Sequence, residues 1–149
     1  VVRQPLTMAR RLGVTVDCAS PQRLAAFWRD VLDYVDDPPP PGYASWADYD
    51  RANAVAPEEV EAGATIVDPN GIGPRMFFQR VPEPKRVKNR LHLDIAVATA
   101  PPGEQRIAQL RQAAAELVRR GATWAAESAD PLDFFIVLRD PEGNEFCLV

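Results

Sequence analysis

The sequence predicts an α+β fold built twice: two β-α-β-β-β modules, each a curved mixed sheet with its helix on the convex face, paired around a central cleft. Three observations carry this reading. Leu12-Gly13-Val14-Thr15-Val16-Asp17-Cys18 and Leu91-His92-Leu93-Asp94-Ile95-Ala96-Val97 both alternate with period two, as a strand packed on one face must. An amphipathic helical pattern follows each of them. Each half then carries an Asp-Pro-x-Gly turn ahead of its last strand, Asp68-Pro69-Asn70-Gly71 and Asp140-Pro141-Glu142-Gly143. Laid side by side, the halves set Gly13 opposite His92, and such an internal duplication constrains a fold more than local propensity does.

Ser20-Pro21 reads as an N-cap with proline at the first helical position. Leu24, Phe27, Trp28, Val31 and Leu32 then recur at helical spacing, giving a helix to about Asp33 with Trp28 on its core face. Pro38 to Pro41 with Gly42 stop regular structure and form a stiff connector. Residues 45–61 are weakly helical and acidic, one or two short helices in an insertion, where Trp46 and Tyr49 are placed to line or lid a pocket. Ala64 to Val67 and Arg75 to Val81 read as strands on either side of the first turn. Pro82 to Asn89 is a polar, basic linker whose Lys85, Arg86 and Lys88, with Arg90 beyond, are expected in solvent. In the second half, Ile107, Leu110, Ala114, Leu117 and Val118 form a helical stripe closed by Gly121. Strands follow at Thr123–Ala126, Phe134–Leu138 and Asn144–Val149. The chain thus reads as one domain over 1–149, with module one at about 11–81, the linker at about 82–89 and module two at about 90–149.

Composition excludes several classes of function. The 149 residues carry 17 Lys+Arg against 21 Asp+Glu, a net charge of −4, and no dense basic stripe, so nucleic acid is not the expected partner. No apolar run is long enough to span a bilayer, and no apolar segment of a signal peptide follows the charged start of the chain, Val1 to Arg11. Two cysteines, Cys18 and Cys147, cannot build a disulfide framework, and free thiols suit a cytoplasmic protein. A single histidine, His92, rules out a three-histidine zinc site and the two histidines of a facial-triad iron site within one chain.

The stretches Asp17-Cys18-Ala19-Ser20-Pro21 with Phe27-Trp28, Asp68 to Pro74, Val81 to Asp94 and Asp140 to Leu148 resemble the vicinal oxygen chelate superfamily. This superfamily includes glyoxalase I, bleomycin-resistance proteins and extradiol dioxygenases, and the match is nearest to the glyoxalase-like domain proteins common in actinobacteria. The resemblance implies a small molecule held in the inter-module cleft and a homodimer. It also implies that the four metal-ligand positions of metal-dependent members fall on Gly13, Gln79, His92 and Cys147. Gly13 has no donor and Gln79 offers only a neutral amide. His92 is a good ligand, and Cys147 as thiolate would suit a soft metal where members of this kind carry Glu. The ligand set is therefore incomplete: no metal cofactor is expected, although a divalent ion stays open.

Strand parity gives the rest of the cleft. With His92 facing in, Asp94 does too, together with Asp17, Arg75, Phe77, Gln79 and Glu145, and Trp46 reaches over from the insertion. Two readings follow. One is a bleomycin resistance-like protein that binds a partly apolar small molecule against Phe77 and Trp46. The other is a glyoxalase-like lyase or isomerase that uses His92 and Glu145 as acid and base; the single histidine disfavours an extradiol dioxygenase. Each residue also has a structural alternative: His92 as a polar group bonded to Asp94 or a carbonyl, Glu145 as a strand-edge carboxylate paired with Arg75, Cys147 as a buried apolar side chain.

Overall fold

A computed structural model describes residues 11–149; the stretch read for a leader, Val1 to Arg11, lies outside them except for its last residue. Strand β1 (Gly13–Cys18) leads into α1 (Pro21–Leu32), the two-residue strand β2 (Val35–Asp36), short helices α2 (Trp46–Ala52) and α3 (Pro57–Glu61), then β3 (Gly63–Val67) and β4 (Arg75–Arg80). The second half runs β5 (Leu93–Ile95), α4 (Glu104–Arg119), β6 (Thr123–Glu127), β7 (Ile136–Arg139) and β8 (Glu145–Leu148). The halves share one topology, with strand orders β1-β4-β3-β2 and β5-β8-β7-β6. In each, the first strand lies parallel to the last and the other pairs are antiparallel. The duplication is therefore real: the two modules form two four-stranded mixed sheets, and among the described residues neither closes into a barrel.

Parity along β1 and β4 works as the pattern dictates. Val14 and Val16 pack on the core while Thr15 and Asp17 stay exposed, and Met76 and Phe78 are buried between the half-buried Phe77 and Gln79. The core is a single cluster. Leu24, Phe27 and Trp28 from α1 meet Ile66, Met76 and Phe78 of the first sheet, and Leu110, Ala114 and Leu117 of α4 meet Ile136, Leu138, Phe146 and Leu148 of the second. Trp28 joins the halves: its ring lies 4.9 Å from that of Phe146, and its indole N–H donates to Asp140 at 3.1 Å. Full burial of side chains of this size contributes roughly 1.5–3 kcal/mol each in transfer free energy.

Four local expectations change. The strand expected over Leu91–Val97 is regular only over Leu93–Ile95, since β8 offers Phe146 to Leu148 as its partners and Leu91 is left exposed. Strand β2 is too short to show an alternation, so the sequence pattern passes it over. Ser20 does sit at the N-cap of α1, but its side chain makes no capping bond; the Glu142 carboxylate instead accepts from the N–H groups of Ala19 and Ser20 at 2.7 and 2.8 Å. Finally, the linker is not wholly solvated. Lys85 pairs with Glu145 at 3.0 Å and is only 22% exposed, and the Asn89 N–H donates to the same carboxylate at 3.1 Å. Burying Glu145 against the linker requires a cation and a donor there.

Candidate functional site

The open face of the first sheet presents Arg75, Phe77 and Gln79 from β4. The pairing of Thr65 with Phe77 and of Gly63 with Gln79 puts both β3 residues on that same face. Residues 37–62 fold back over it. The insertion starts where Asp37 donates its N–H to the Thr65 carbonyl at 3.0 Å. Ser45 caps α2 by accepting from the Asp48 N–H at 3.1 Å, and the indole N–H of Trp46 donates to the Asp37 carbonyl at 2.7 Å. Tyr49 packs edge-on against both Tyr43 and Trp46, at 5.1 and 5.6 Å between ring centres. Arg80 closes the far side by donating to the Glu61 carbonyl at 2.9 Å. Between this roof and the sheet lies a cavity of about 730 Å³, with Trp46, Tyr49, Val55 and Val60 above and Phe77, Gly63 and Thr65 below.

Gly63 shapes the floor. A Cβ there would lie 2.8 Å from the Phe77 ring, so the absence of a side chain is what lets that ring rest against β3. Arg75 is fixed on three sides: it donates to Thr65 at 3.0 Å and to Asp37 at 3.3 Å, and its guanidinium lies 5.8 Å from the Phe77 ring centre. The Gln79 amide donates to Asp17 at 2.7 Å. Arg75 also borders a second hollow of about 610 Å³ at the sheet's end, between Arg11-Leu12-Gly13 and the loop Asp68–Pro74.

Of the residues expected to share one cleft, Arg75, Phe77, Gln79 and Trp46 line the cavity, and Asp17 adjoins it through Gln79. His92, Asp94, Glu145 and Cys147 do not, since the lining runs from Gln22 to Arg80. The cavity is therefore drawn from module one alone. Phe146, Trp28 and the Asp140 turn join the modules on their helix-bearing faces, and the insertion roofs the first sheet alone. Gly63, Asp37 and Asp50 also line the cavity without having been singled out; an isolated glycine opening the Ala64–Val67 strand was the signal available for Gly63.

The second sheet's residues have definite partners. His92 is exposed, and its Nε2 lies 3.2 Å from the Asn89 carbonyl, to which it donates rather than to Asp94. Asp94 is paired in register with Cys147, whose thiol is pushed up by burial and by the Asp94 charge. Glu145 pairs with Lys85, not with Arg75. Burial works to raise its pKa, but the Asn89 N–H and the Lys85 ammonium outweigh that and hold it down at about 2.

A metal centre does not fit these donors. Gly13 supplies none, His92 has Nε2 bonded to the Asn89 carbonyl, and Cys147 would have to give up a proton that burial and Asp94 hold more tightly than usual. Pairing register weakens the set further. Thr15 lies opposite Phe77 and Asp94 opposite Cys147, so the module-one counterpart of Cys147 is Phe77 rather than Gln79. Among the described residues no group of three or more His, Cys, Asp or Glu side chains is placed to hold an ion.

Comparison with known proteins supports the fold on independent grounds. The chain is similar to the fosfomycin resistance protein FosX of Mesorhizobium loti (TM-score 0.61, 11% identity, 95% of this chain and 91% of that one). It is also similar to a glyoxalase/bleomycin resistance protein/dioxygenase family enzyme of Burkholderia phytofirmans PsJN (0.57, 16%, 91% and 93%). A third likeness is to hypothetical protein SA1046 of S. aureus (0.57, 10%, 95% and 97%). At these identities the likeness shows the fold alone. No curated protein matches the chain. The Glyoxalase-like domain profile matches residues 13–149. With both modules and both Asp-Pro-x-Gly turns inside that match, the chain belongs to the glyoxalase-like domain family, within the vicinal oxygen chelate superfamily.

Proposed function

We propose that this protein binds a small, partly apolar molecule in the cavity of module one and that it does so without a metal centre. The observation that carries this reading is the roofed cavity itself, with Trp46 and Tyr49 facing Phe77 across about 730 Å³. A concave, largely apolar pocket of that size with a few fixed polar groups is the usual form of a small-molecule site. The lyase or isomerase reading draws less support. Its Glu145, bonded to Lys85 and the Asn89 N–H, has its pKa held near 2 and is a weak proton acceptor, and His92 stands outside the cavity. We further read the protein as a cytoplasmic homodimer with neither nucleic acid nor membrane as a partner. Among the described residues β1 and β5 each leave one edge of their sheet unpaired, and the residues before them, Leu12 and Leu91, are exposed by 73% and 85%, surface that a second copy would cover. Among the described residues no helix is long and apolar enough to cross a membrane.

The test is a fragment screen of metal-stripped protein followed by Trp46 fluorescence and amide NMR shifts. Hits are expected to shift residues of β3, β4 and α2 and to weaken at least tenfold in Trp46→Ala. Hits unaffected by Trp46→Ala and Phe77→Ala would move the site elsewhere. Calorimetry with Zn, Ni, Co, Mn and Fe(II) is expected to show no stoichiometric binding; sub-micromolar binding lost in His92→Ala would overturn the metal-free reading. Sedimentation velocity is expected to give a dimer, and a monomer at high micromolar concentration would overturn that part.

A further inference from the structure

From the way charge is balanced around this cavity, we infer that its ligand is an organic cation, an apolar or aromatic body carrying a protonated amine. The inference rests on the cavity being the binding site. Two arginines and four carboxylates border the space. Both arginines are already neutralised by the protein: Arg75 by Asp37 at 3.3 Å and Arg80 by Glu61 at 3.7 Å. Of the other carboxylates, Asp36 is held by Arg29 at 2.7 Å. Asp50 and Glu59 remain, and among the described residues neither has a cation within 4.0 Å. The surplus is therefore negative, and it sits on the roof beside Trp46 and Tyr49.

Asp50 is informative because its own helix gives it no reason to be acidic. It lies near the C-terminal end of α2, where the helix dipole disfavours a negative charge, and the nearby Arg51 is spent on Asp48 at 3.0 Å. Glu59 is favoured by its place in the first turn of α3, Asp50 by nothing in its helix. An ammonium entering the cavity would meet these two carboxylates, neither paired with a cation among the described residues, and the faces of aromatic rings, all of which attract cations. An anion would find the arginines occupied and the carboxylates repelling it. A neutral molecule would gain only the apolar lining.

The experiment compares three probes with one body and different charge: 1-naphthylmethylamine, 1-naphthalenemethanol and 1-naphthoate, titrated by NMR at pH 7 in low salt. The amine is expected to bind at least tenfold more tightly than the alcohol, and the naphthoate more weakly than either. The amine-to-alcohol ratio is expected to fall to within twofold of one in Asp50→Asn/Glu59→Gln, whose fold is checked by circular dichroism, and to shrink in 0.5 M NaCl. Equal affinities for amine and alcohol, a preference for naphthoate, or an unchanged ratio in the double variant would overturn the cation inference while leaving the cavity as the site. Failure of all three to shift any cavity residue at millimolar concentration would overturn the cavity reading and this inference with it.

Discussion

Glu142 anchors the chain at the entry to α1, where Ser20 makes no capping bond. The Ser20 hydroxyl makes no capping bond, while the Glu142 carboxylate, 122 residues later, accepts from the N–H groups of Ala19 and Ser20 at 2.7 and 2.8 Å. A charge at this end of the helix also complements its dipole. Because Glu142 belongs to the second Asp-Pro-x-Gly turn, the same two bonds tie module two to the start of module one's helix. Glu142→Gln is expected to lower stability by about 1 kcal/mol and Ser20→Ala by less than about 0.5 kcal/mol. Urea denaturation checks the order; equal losses would deny Glu142 this anchoring role.

Asp140, in the same turn, is the buried charged residue of the described structure, 2% exposed. It accepts from the N–H groups of Glu142 and Asn144, from the Asn144 amide and from the Trp28 indole, at 2.9 to 3.1 Å. Removing the acceptor strands donors that water cannot reach. Asp140→Ala is expected to cost about 3 kcal/mol or more, and Trp28→Phe about 2 kcal/mol through the lost bond and lost packing on Phe146. Thermal and urea unfolding of both variants measure this, and a loss under about 1 kcal/mol for Asp140→Ala would contradict the role given to it.

These clasps mark where sequence reading stops. The two modules, the inward residues of β1 and β4, the helices in the insertion and Trp28 in the core all follow from period and turn chemistry, because each is a local property of a few neighbouring residues. The partner of Ser20's N–H, the cation beside Glu145 and the roof over Phe77 lie 122, 60 and about 30 residues away in sequence, and no periodicity encodes them. Parity leaves Arg75 and Asp94 exposed and Phe77 half-buried, but it gives no information on how the two sheets sit relative to one another. The contacts that join the modules, Trp28 with Phe146 and Asp140, lie in the core.

The Glu145 clasp makes a prediction in acid. Its folded pKa, about 2, lies below the ordinary glutamate value of 4.5, so the unfolded chain binds the proton more readily. The stabilisation is present above about pH 4.5, and it is lost as pH falls toward 2. Glu145→Gln is expected to lose about 2 kcal/mol at pH 7 and to flatten the decline of stability between pH 4.5 and 2. A wild-type slope retained by the variant would assign the acid sensitivity to other carboxylates.

Gly63 and Phe77 test the cavity floor directly. A Cβ at residue 63 would stand 2.8 and 2.9 Å from two atoms of the Phe77 ring, closer than packed carbons approach. The ring is half-buried and borders open space, so it can yield by tilting up into the cavity instead of breaking the sheet. Gly63→Ala is therefore expected to cost only about 1 kcal/mol in stability while weakening any cavity ligand at least tenfold. Gly63→Ala/Phe77→Leu, which removes the edge of the ring that clashes, is expected to recover stability and part of the affinity. Urea unfolding beside ligand titration separates the two effects. An unchanged affinity in Gly63→Ala would mean that the ligand does not rest on Phe77.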